Sequence, residues 1–266
     1  MFITVINDCA DDNAVGRQAT RIQALFNQSP SFIGVKSDLE AAGNLIDVID
    51  AAHGQAGIVL VNVAPRGGEG ARFANGTPFC AFEVGKTVVY ASIAGLTLSL
   101  IKKLGVADAL EVFDLPTALA EIVKKKLITH EAALQIAATQ FRSYEFLPRL
   151  AQWRHAGIVV PSVRQSIDTI AEAPRAVWWV DNFGNCKTTL LPDEVNFHAG
   201  KRVNLKPLSQ DLACYYSLKD APTTEPALVI GSSGFGNQRF LEIVVRGASA
   251  ASHATLTAGT ALSSAA

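Results

Sequence analysis

Carboxylate and amide side chains follow two β-branched runs of this 266-residue sequence, and their types suit a ligand rich in hydroxyl groups. Asn7 and Asp8 follow the run that ends at Ile6, and Asp181 comes directly after Val180. Open α/β sheets bind ligands at the carboxyl ends of their strands. A carboxylate there accepts hydrogen bonds from both hydroxyls of a ribose and attracts a cationic group, and it repels phosphates. Asp8 is therefore the first candidate binding residue.

Asp11 lies in the same acidic segment and has two interpretations. It is a candidate substrate-binding residue, because it follows the same strand as Asp8. Asp11, Asp12 or Asn13 equally suits the N-cap of the helix that follows, because Asp and Asn side chains accept hydrogen bonds from the first free N–H groups of a helix. Both interpretations stay open at this point.

The most distinctive segment is Val177–Thr189, a strand that enters a turn carrying a carboxylate, an aromatic ring and two amides. A hairpin turn alone would account for Asn182, Gly184 and Asn185, since Asn and Gly favour such turns. A second loop of similar character, Gly231–Phe235, precedes the strand-like Phe240–Val245.

A glycine-rich loop, Ala64–Arg72, follows the third predicted strand. It has no Gly-Lys-Ser/Thr sequence and is not a Gly-x-Gly-x-x-Gly turn opening a helix after the first strand. The usual phosphate-binding loops of nucleoside triphosphate and dinucleotide sites are therefore excluded.

The chain has two regions that differ in their sequence pattern. Up to about residue 160, short apolar runs alternate with helical periods, which predicts an N-terminal α/β (Rossmann-like) domain over residues 1–160. Prolines then separate short runs, which predicts a smaller C-terminal β-barrel domain over residues 172–250. Residues 161–171 are predicted to be a linker, and residues 251–266 an Ala/Ser-rich tail with a frayed end.

Charge and composition exclude several classes of protein. Lys and Arg number 23 and Asp and Glu 24, so the formal net charge is −1 and no excess positive charge exists for phosphate contacts with nucleic acid. The apolar runs fall short of the roughly 18 to 20 residues of a membrane span, and the first residues do not form a signal peptide, so we expect a cytoplasmic protein. The four cysteines are far apart and have no zinc-ligand spacing, so we expect reduced thiols and no metal site.

Three segments together resemble the S-adenosylmethionine hydroxide adenosyltransferase family, which also contains chlorinating and fluorinating enzymes. They are the strand end at Asp8, the Asp-x-Phe-Gly-Asn-x-x-Thr sequence at 181–188, and the Gly-Ser-Ser-Gly and Leu-Glu-Ile sequences between Gly231 and Ile243. A further segment, 140–148, is similar to the family at the expected place.

The resemblance implies an α/β domain, a β-barrel domain and a homotrimer with sites between subunits, and S-adenosylmethionine or adenosine as ligand. It implies that Asp8 holds the ribose diol and that Asp181 and Ser232 bind the methionine end. It also implies that Phe183 packs on the adenine, with Asn185 and the backbone near Gly247 at the adenine edge. Arg246 would line the same pocket, and Tyr215 or Tyr216 would supply the other stacking face.

The reaction implied is adenosine-forming hydrolysis of S-adenosylmethionine, which requires no cofactor. Hydrolytic members activate water with an Asp, an Arg and a His. This sequence is similar at the Arg, read as Arg72, and has Ala64 and Arg142 at the other two positions. Arg72, Arg142 and Ser143 are therefore expected to face the nucleophile, although a guanidinium stays protonated and is no general base.

Two other interpretations accompany the hydrolase. One is a non-catalytic family member that binds adenosine or S-adenosylmethionine and has lost the water-activating residues. The other is a scaffold trimer with no nucleoside site. A halogenating activity is disfavoured because the long insertion of the fluorinating enzymes after the third strand is absent.

Overall fold

The computed structural model describes residues 1–64 and 77–264, and the chain divides into two compact units, Met1–Ala171 and Glu172–Ala266. Each unit has its own sheet and its own hydrophobic core. The two units are described separately.

Unit 1 contains a seven-stranded mixed sheet with strand order β2-β1-β3-β5-β4-β6-β7. Its strands are β1 (Phe2–Asn7), β2 (Ser31–Gly34), β3 (Gly57–Asn62), β4 (Phe79–Val84), β5 (Thr87–Ser92), β6 (Ala109–Phe113) and β7 (Val163–Ser166). The ladders β2-β1, β1-β3 and β3-β5 are parallel, and β4, β6 and β7 add antiparallel ladders. The parallel part confirms the alternation of strands and helices predicted from the sequence.

Helices connect these strands, and side-chain caps fix where several of them begin. The helices of unit 1 are α1 (Asp12–Phe26), α2 (Asp38–Ala51), α3 (Ser99–Lys103), α4 (Leu115–Lys124), α5 (His130–Ala138), α6 (Arg142–Glu145) and α7 (Leu147–His155). Asp11, Ser37, Asp114 and Thr129 each accept a hydrogen bond from the backbone N–H three residues later. Such caps satisfy N–H groups that have no partner inside the helix.

Unit 2 contains a six-stranded sheet of order β10-β12-β13-β14-β9-β8 and a two-stranded sheet of β11 and β15. Its elements are β8 (Val177–Val180), β9 (Cys186–Thr188), β10 (Arg202–Val203), β11 (Leu205–Lys206), β12 (Leu212–Tyr215), β13 (Pro226–Phe235), β14 (Gln238–Val245), α8 (Ala250–Ala254) and β15 (Ser263–Ser264). The longest ladder is the antiparallel pair β13-β14. The fold is therefore an α/β unit with a smaller sheet unit, and the strands of the smaller unit form these two sheets where the sequence predicts a barrel.

Two segments differ from the prediction. The predicted linker, 161–171, belongs to unit 1: β7 pairs antiparallel with β6, and a short 3₁₀-helix, Ile167–Thr169, buries Ile167. Part of the predicted frayed tail, 251–266, is also ordered. Leu256 and Leu262 are 3% and 2% exposed, and β15 pairs with β11. The burial of these two leucines stabilises this part of the chain. The Ala/Ser-rich composition of the segment as a whole does not indicate this.

Candidate functional site

Asp8 lies where two neighbouring parallel strands end. Its backbone N–H donates to Asn62 O at 3.4 Å, and its Oδ2 accepts a hydrogen bond from the Ala64 backbone N–H at 3.1 Å. The carboxylate is therefore held at the carboxyl ends of β1 and β3, the edge at which open α/β sheets bind ligands.

Asn7, next to Asp8, is buried and fixes this strand end. Its Nδ2 donates to Gln18 Oε1 at 3.0 Å, and its Oδ1 accepts from the Cys9 N–H at 2.9 Å. Asn7 is 1% exposed and its hydrogen bond to Gln18 is buried, so this bond is shielded from water, while the partly buried bond from the Cys9 N–H holds the backbone next to Asp8. The sequence analysis missed Asn7 and Gln18. A polar residue at the buried end of an apolar strand was the available signal.

Asp11 has the capping role. Its Oδ1 accepts from the Ala14 N–H at 3.0 Å, at the start of α1. The same residue lines a cavity of about 180 Å³ between α1 and α6, and this cavity also contains Ser143 and Cys9. Asp11 and Ser143, both predicted site residues, therefore lie together in unit 1.

Arg142 and Ser143 are the first two residues of the four-residue helix α6. Arg142 Nη1 lies 3.4 Å from Thr77 O, a long hydrogen bond, and burial lowers the pKa of its guanidinium. A guanidinium remains protonated near neutral pH even so, which makes Arg142 a fixed positive charge and no base. The predicted residue Arg72 lies outside the described residues.

Guanidinium groups from α1 and α7 contact α6. Arg21 donates to both carboxylate oxygens of Glu145 at 3.0 Å and to the Tyr144 hydroxyl at 3.0 Å. Arg149 Nη1 adds a contact of 2.7 Å to Glu145 Oε2, and Arg17 stacks over the Tyr144 ring at 4.7 Å. The sequence analysis missed Arg21 because 124 residues separate it from Glu145.

In unit 2, the carboxylate of Asp181 organises the turn between β8 and β9. Its Oδ1 accepts from the backbone N–H groups of Phe183 and Asn185, both at 2.9 Å, and its Oδ2 accepts from Asn185 Nδ2 at 2.9 Å. The turn interpretation of this segment is thus confirmed, and Asp181 has a structural role in it. The third bond fixes the Asn185 amide, because only the nitrogen end can donate to a carboxylate.

The same turn exposes Phe183 and packs against the start of α8. The Phe183 side chain is 72% exposed. Gly184 has φ +83°, and a Cβ there would lie 2.1 Å from Ser249 Oγ. The Gly184 carbonyl accepts from the Ala251 N–H at 2.9 Å. These contacts bring the turn close to the chain segment that carries Arg246 and Gly247.

The segment Gly231–Phe235, predicted to be a loop, is the end of strand β13, so Ser232 lies within a strand, and the other predicted residues of unit 2 lie at or just beyond strand ends. Ser232 is exposed, and its N–H donates to Glu242 Oε1 at 3.2 Å. Arg246 Nη1 donates to Lys219 O at 2.7 Å, and Gly247 has φ +87°. Of the two tyrosines, Tyr216 is 65% exposed and Tyr215 is half-buried.

The thiols divide into one exposed and three buried groups. Cys9 is exposed, and Cys80, Cys186 and Cys214 are buried. Burial raises the pKa of the Cys80 and Cys186 thiols to about 12. Across residues 1–64 and 77–264, no group of three or more His, Cys, Asp or Glu side chains could hold a metal ion.

These features define a two-unit α/β protein with candidate binding residues at a strand end and helix starts in unit 1 and on turns and strands in unit 2. No family model and no curated protein matches the sequence. Among solved structures, the chain is similar to an uncharacterized conserved protein from Thermotoga maritima, with a TM-score of 0.66, 16% identity and all of both chains covered. It is also similar to a conserved hypothetical protein from Thermus thermophilus, with a TM-score of 0.60, 17% identity and 99% of each chain covered. At these identities the likeness shows the fold. In the described part of the chain, no helix combines the length and the apolarity needed to cross a bilayer.

Proposed function

We propose that this protein is an adenosine-forming S-adenosylmethionine hydrolase of the S-adenosylmethionine hydroxide adenosyltransferase family. The turn from Asp181 to Asn185 is the observation that carries the proposal. It presents an exposed aromatic ring two residues from an amide whose nitrogen is held by Asp181. Asn185 Oδ1 therefore points away from that bond as an acceptor, which suits the exocyclic amino group of adenine, while Phe183 offers a stacking face.

Asp8 supplies the ribose contact in this proposal. Its Oδ2 is oriented by the Ala64 N–H, and a carboxylate has lone pairs for further donors. The two hydroxyls of a ribose are suitable donors, and the sulfonium of S-adenosylmethionine is attracted to the negative edge of the sheet. By the family resemblance, the sites lie between subunits of a homotrimer.

The proposed reaction is an in-line displacement at the 5′ carbon. A water oxygen forms the new C–O bond, the C–S bond breaks with its electron pair going to sulfur, and neutral methionine leaves. The attacking water loses its proton to solvent. Because the sulfonium is already a good leaving group, the protein contributes alignment, worth about 7–11 kcal/mol in favourable cases, and it removes water from around the nucleophile. Arg142 would orient the water and Ser143 would accept or donate a hydrogen bond to it.

A second candidate function is supported by a specific observation. Ala64 stands where hydrolytic members have an aspartate; its methyl side chain has no hydrogen-bonding group, and its backbone N–H donates to Asp8. With Arg142 as a fixed cation, neither position supplies a general base. The second candidate is therefore a non-catalytic protein that binds S-adenosylmethionine or adenosine.

One experiment separates the two candidates. Purified protein is incubated with S-adenosylmethionine, adenosine release is followed by chromatography, and binding is measured by calorimetry. Adenosine and methionine in equal amounts support the hydrolase, whereas binding without product supports the non-catalytic protein. Asp8→Asn should weaken binding at least tenfold, and the matched change Asp12→Asn, at an exposed position of α1, should not. Absence of both binding and product excludes both candidates.

The proposed assembly is tested separately. Light scattering coupled to size-exclusion chromatography should give three times the chain mass of 28.2 kDa. If the protein is a monomer and still releases adenosine, the proposed hydrolase activity stands and the proposal that sites are shared between subunits is wrong.

A further inference from the structure

The segment Gly231–Gly234 departs from the regular ladder of the unit 2 sheet. β13 and β14 pair in one register up to Ile230↔Leu241 and in a shifted register from Gly234↔Arg239. Three residues of β13, 231–233, therefore stand opposite a single residue of β14, Phe240. A bulge of this kind redirects the side chains that it carries. The bulge carries Ser232, the residue that the family resemblance implies for the methionine end.

Glu242, on the neighbouring strand β14, contacts this bulge through its side chain. Its side chain is nine-tenths buried, and its Oε1 accepts a hydrogen bond from the Ser232 N–H at 3.2 Å. The Glu242 side chain can come this close to the bulge because residue 231 is a glycine: a Cβ at this position would lie 2.6 Å from both Cγ and Oε1 of Glu242. A buried carboxylate that accepts a backbone N–H at a bulge fixes the backbone at that residue.

Lys187 on β9 completes the arrangement. It stands directly opposite Glu242 in the β14-β9 ladder. Its Nζ donates to Ser233 Oγ at 2.6 Å, and the Ser233 side chain is 1% exposed. Ser232 and Ser233 are thus held by two oppositely charged side chains, one from the neighbouring strand β14 and one from β9, the next strand beyond it. Ser232 itself is an exposed residue.

We propose that Glu242 and Lys187 are positioning residues that fix the Ser232 hydroxyl toward the amino-acid end of the ligand. This inference rests on the proposed function and deepens it. Glu242 acts through the Ser232 backbone and Lys187 through the Ser233 hydroxyl. They therefore decide whether the site distinguishes a nucleoside with an amino-acid end from a nucleoside without one. A hydroxyl suits that end because it donates to a carboxylate and accepts from an ammonium.

Two ligands isolate the effect. S-adenosylhomocysteine keeps the amino-acid end and lacks the sulfonium leaving group, so binding is measured without turnover. Adenosine lacks the amino-acid end. We expect Glu242→Leu to raise the Kd for S-adenosylhomocysteine about tenfold or more and to change the Kd for adenosine less than twofold. Glu242→Gln keeps an acceptor oxygen for the Ser232 N–H and should restore most of the lost affinity.

Matched variants distinguish this selective effect from a general loss of structure. Glu194→Leu removes another glutamate that accepts a backbone N–H in unit 2, that of Leu191 at 2.7 Å, and it should change neither Kd. If Glu242→Leu does not fold, Gly231→Ala displaces the Glu242 carboxylate and should give the same selective loss. In the ligand-free protein, amide exchange at Ser232 should be faster in Glu242→Leu than in Glu242→Gln.

The outcomes are distinct. A selective loss for S-adenosylhomocysteine, with rescue by Glu242→Gln, supports the positioning role. Equal losses for both ligands, or no loss for either, overturn it and leave the proposed function intact. A wild-type protein that binds neither ligand overturns the proposed function, and the positioning role with it.

Discussion

Asp181 Oδ2 accepts a hydrogen bond of 2.9 Å from Nδ2 of Asn185, four residues later in the same turn. The carboxylate therefore acts on the candidate adenine site by orienting an amide and by shaping the backbone that presents Phe183. This relationship changes the expected role of Asp181. The resemblance assigns it to the methionine end, while its observed contacts are with the turn itself.

Asp181→Ala should therefore destabilise the turn and weaken adenosine binding together. Two backbone N–H groups and one amide lose a charged acceptor, and we expect the free energy of unfolding to fall by roughly 1–3 kcal/mol. Urea unfolding and adenosine calorimetry are the measurements. The matched change Asp193→Ala, at an exposed acid of the same unit, should leave both unaffected. Loss of S-adenosylmethionine binding with adenosine binding unchanged would instead favour the role at the methionine end.

Gly184→Ala should be more damaging than Gly200→Ala, although the two glycines have nearly the same φ, +83° and +84°. Both substitutions place a Cβ in a left-handed conformation, at a cost of roughly 1–2 kcal/mol. At Gly184 the Cβ would also lie 2.1 Å from Ser249 Oγ, whereas at Gly200 nothing lies within 4 Å. Overpacking adds roughly 1–3 kcal/mol. Thermal unfolding of both variants tests this, and equal destabilisation would contradict the close packing of the turn on α8.

Local patterns in the sequence predict much of the unit 1 fold. The apolar run Gly57–Val63 covers β3, and the runs at 79–82, 87–91 and 110–113 fall within β4, β5 and β6. Strand and helix periods are local properties, and so is the cap at Asp11. They can therefore be seen without knowledge of the tertiary contacts.

The parts that could not be predicted depend on residues distant in sequence. Arg21 contacts Glu145, and Lys187 contacts Ser233, 46 residues later. In neither pair does the sequence spacing of the two residues indicate that they are in contact. The ordered structure near the end of the chain depends on the burial of Leu256 and Leu262. This burial can be recognised only when the tertiary structure is known.

Arg21→Met should loosen α6 and with it Arg142 and Ser143. The Arg21 and Glu145 side chains are 19% and 23% exposed, and the contact is bidentate, so it is less screened than a surface pair. We expect a loss of about 1–2 kcal/mol, the order of magnitude of a hydrogen bond to a charged group, and this loss should shrink at high salt. Lys125→Met breaks the more exposed pair with Glu121 and should cost about 0.5 kcal/mol or less. Urea unfolding at two salt concentrations is the measurement, and similar losses in both variants would contradict the anchoring role.

A single thiol should react in the folded protein. The thiolate is the reactive form, and burial raises the pKa of Cys80 and Cys186 to about 12, so they stay protonated and shielded at about pH 8. Burial also raises the pKa of Cys214. Titration with a disulfide reagent should find one fast thiol before denaturation and four after it. Cys9→Ser should remove the fast phase, and a second fast thiol in this variant would show that a buried cysteine is exposed.

Glu111 should contribute to the acid dependence of stability. The hydrogen bond from Arg154, followed by the positive charge of Arg154 and a hydrogen bond from Ser162, lowers the pKa of Glu111 below its usual 4.5 against the opposing effect of burial. Because the folded-state pKa is depressed, the stabilisation is present above about pH 4.5 and is lost as the pH falls through the folded-state value. Glu111→Gln should therefore lower the free energy of unfolding near neutral pH and flatten its decline in acid. Glu131→Gln makes the same change of net charge on helix α5 and should leave the decline as it is. Urea unfolding between about pH 3 and pH 7 gives both curves. An unchanged decline in Glu111→Gln would mean that the Arg154 contact does not stabilise the fold.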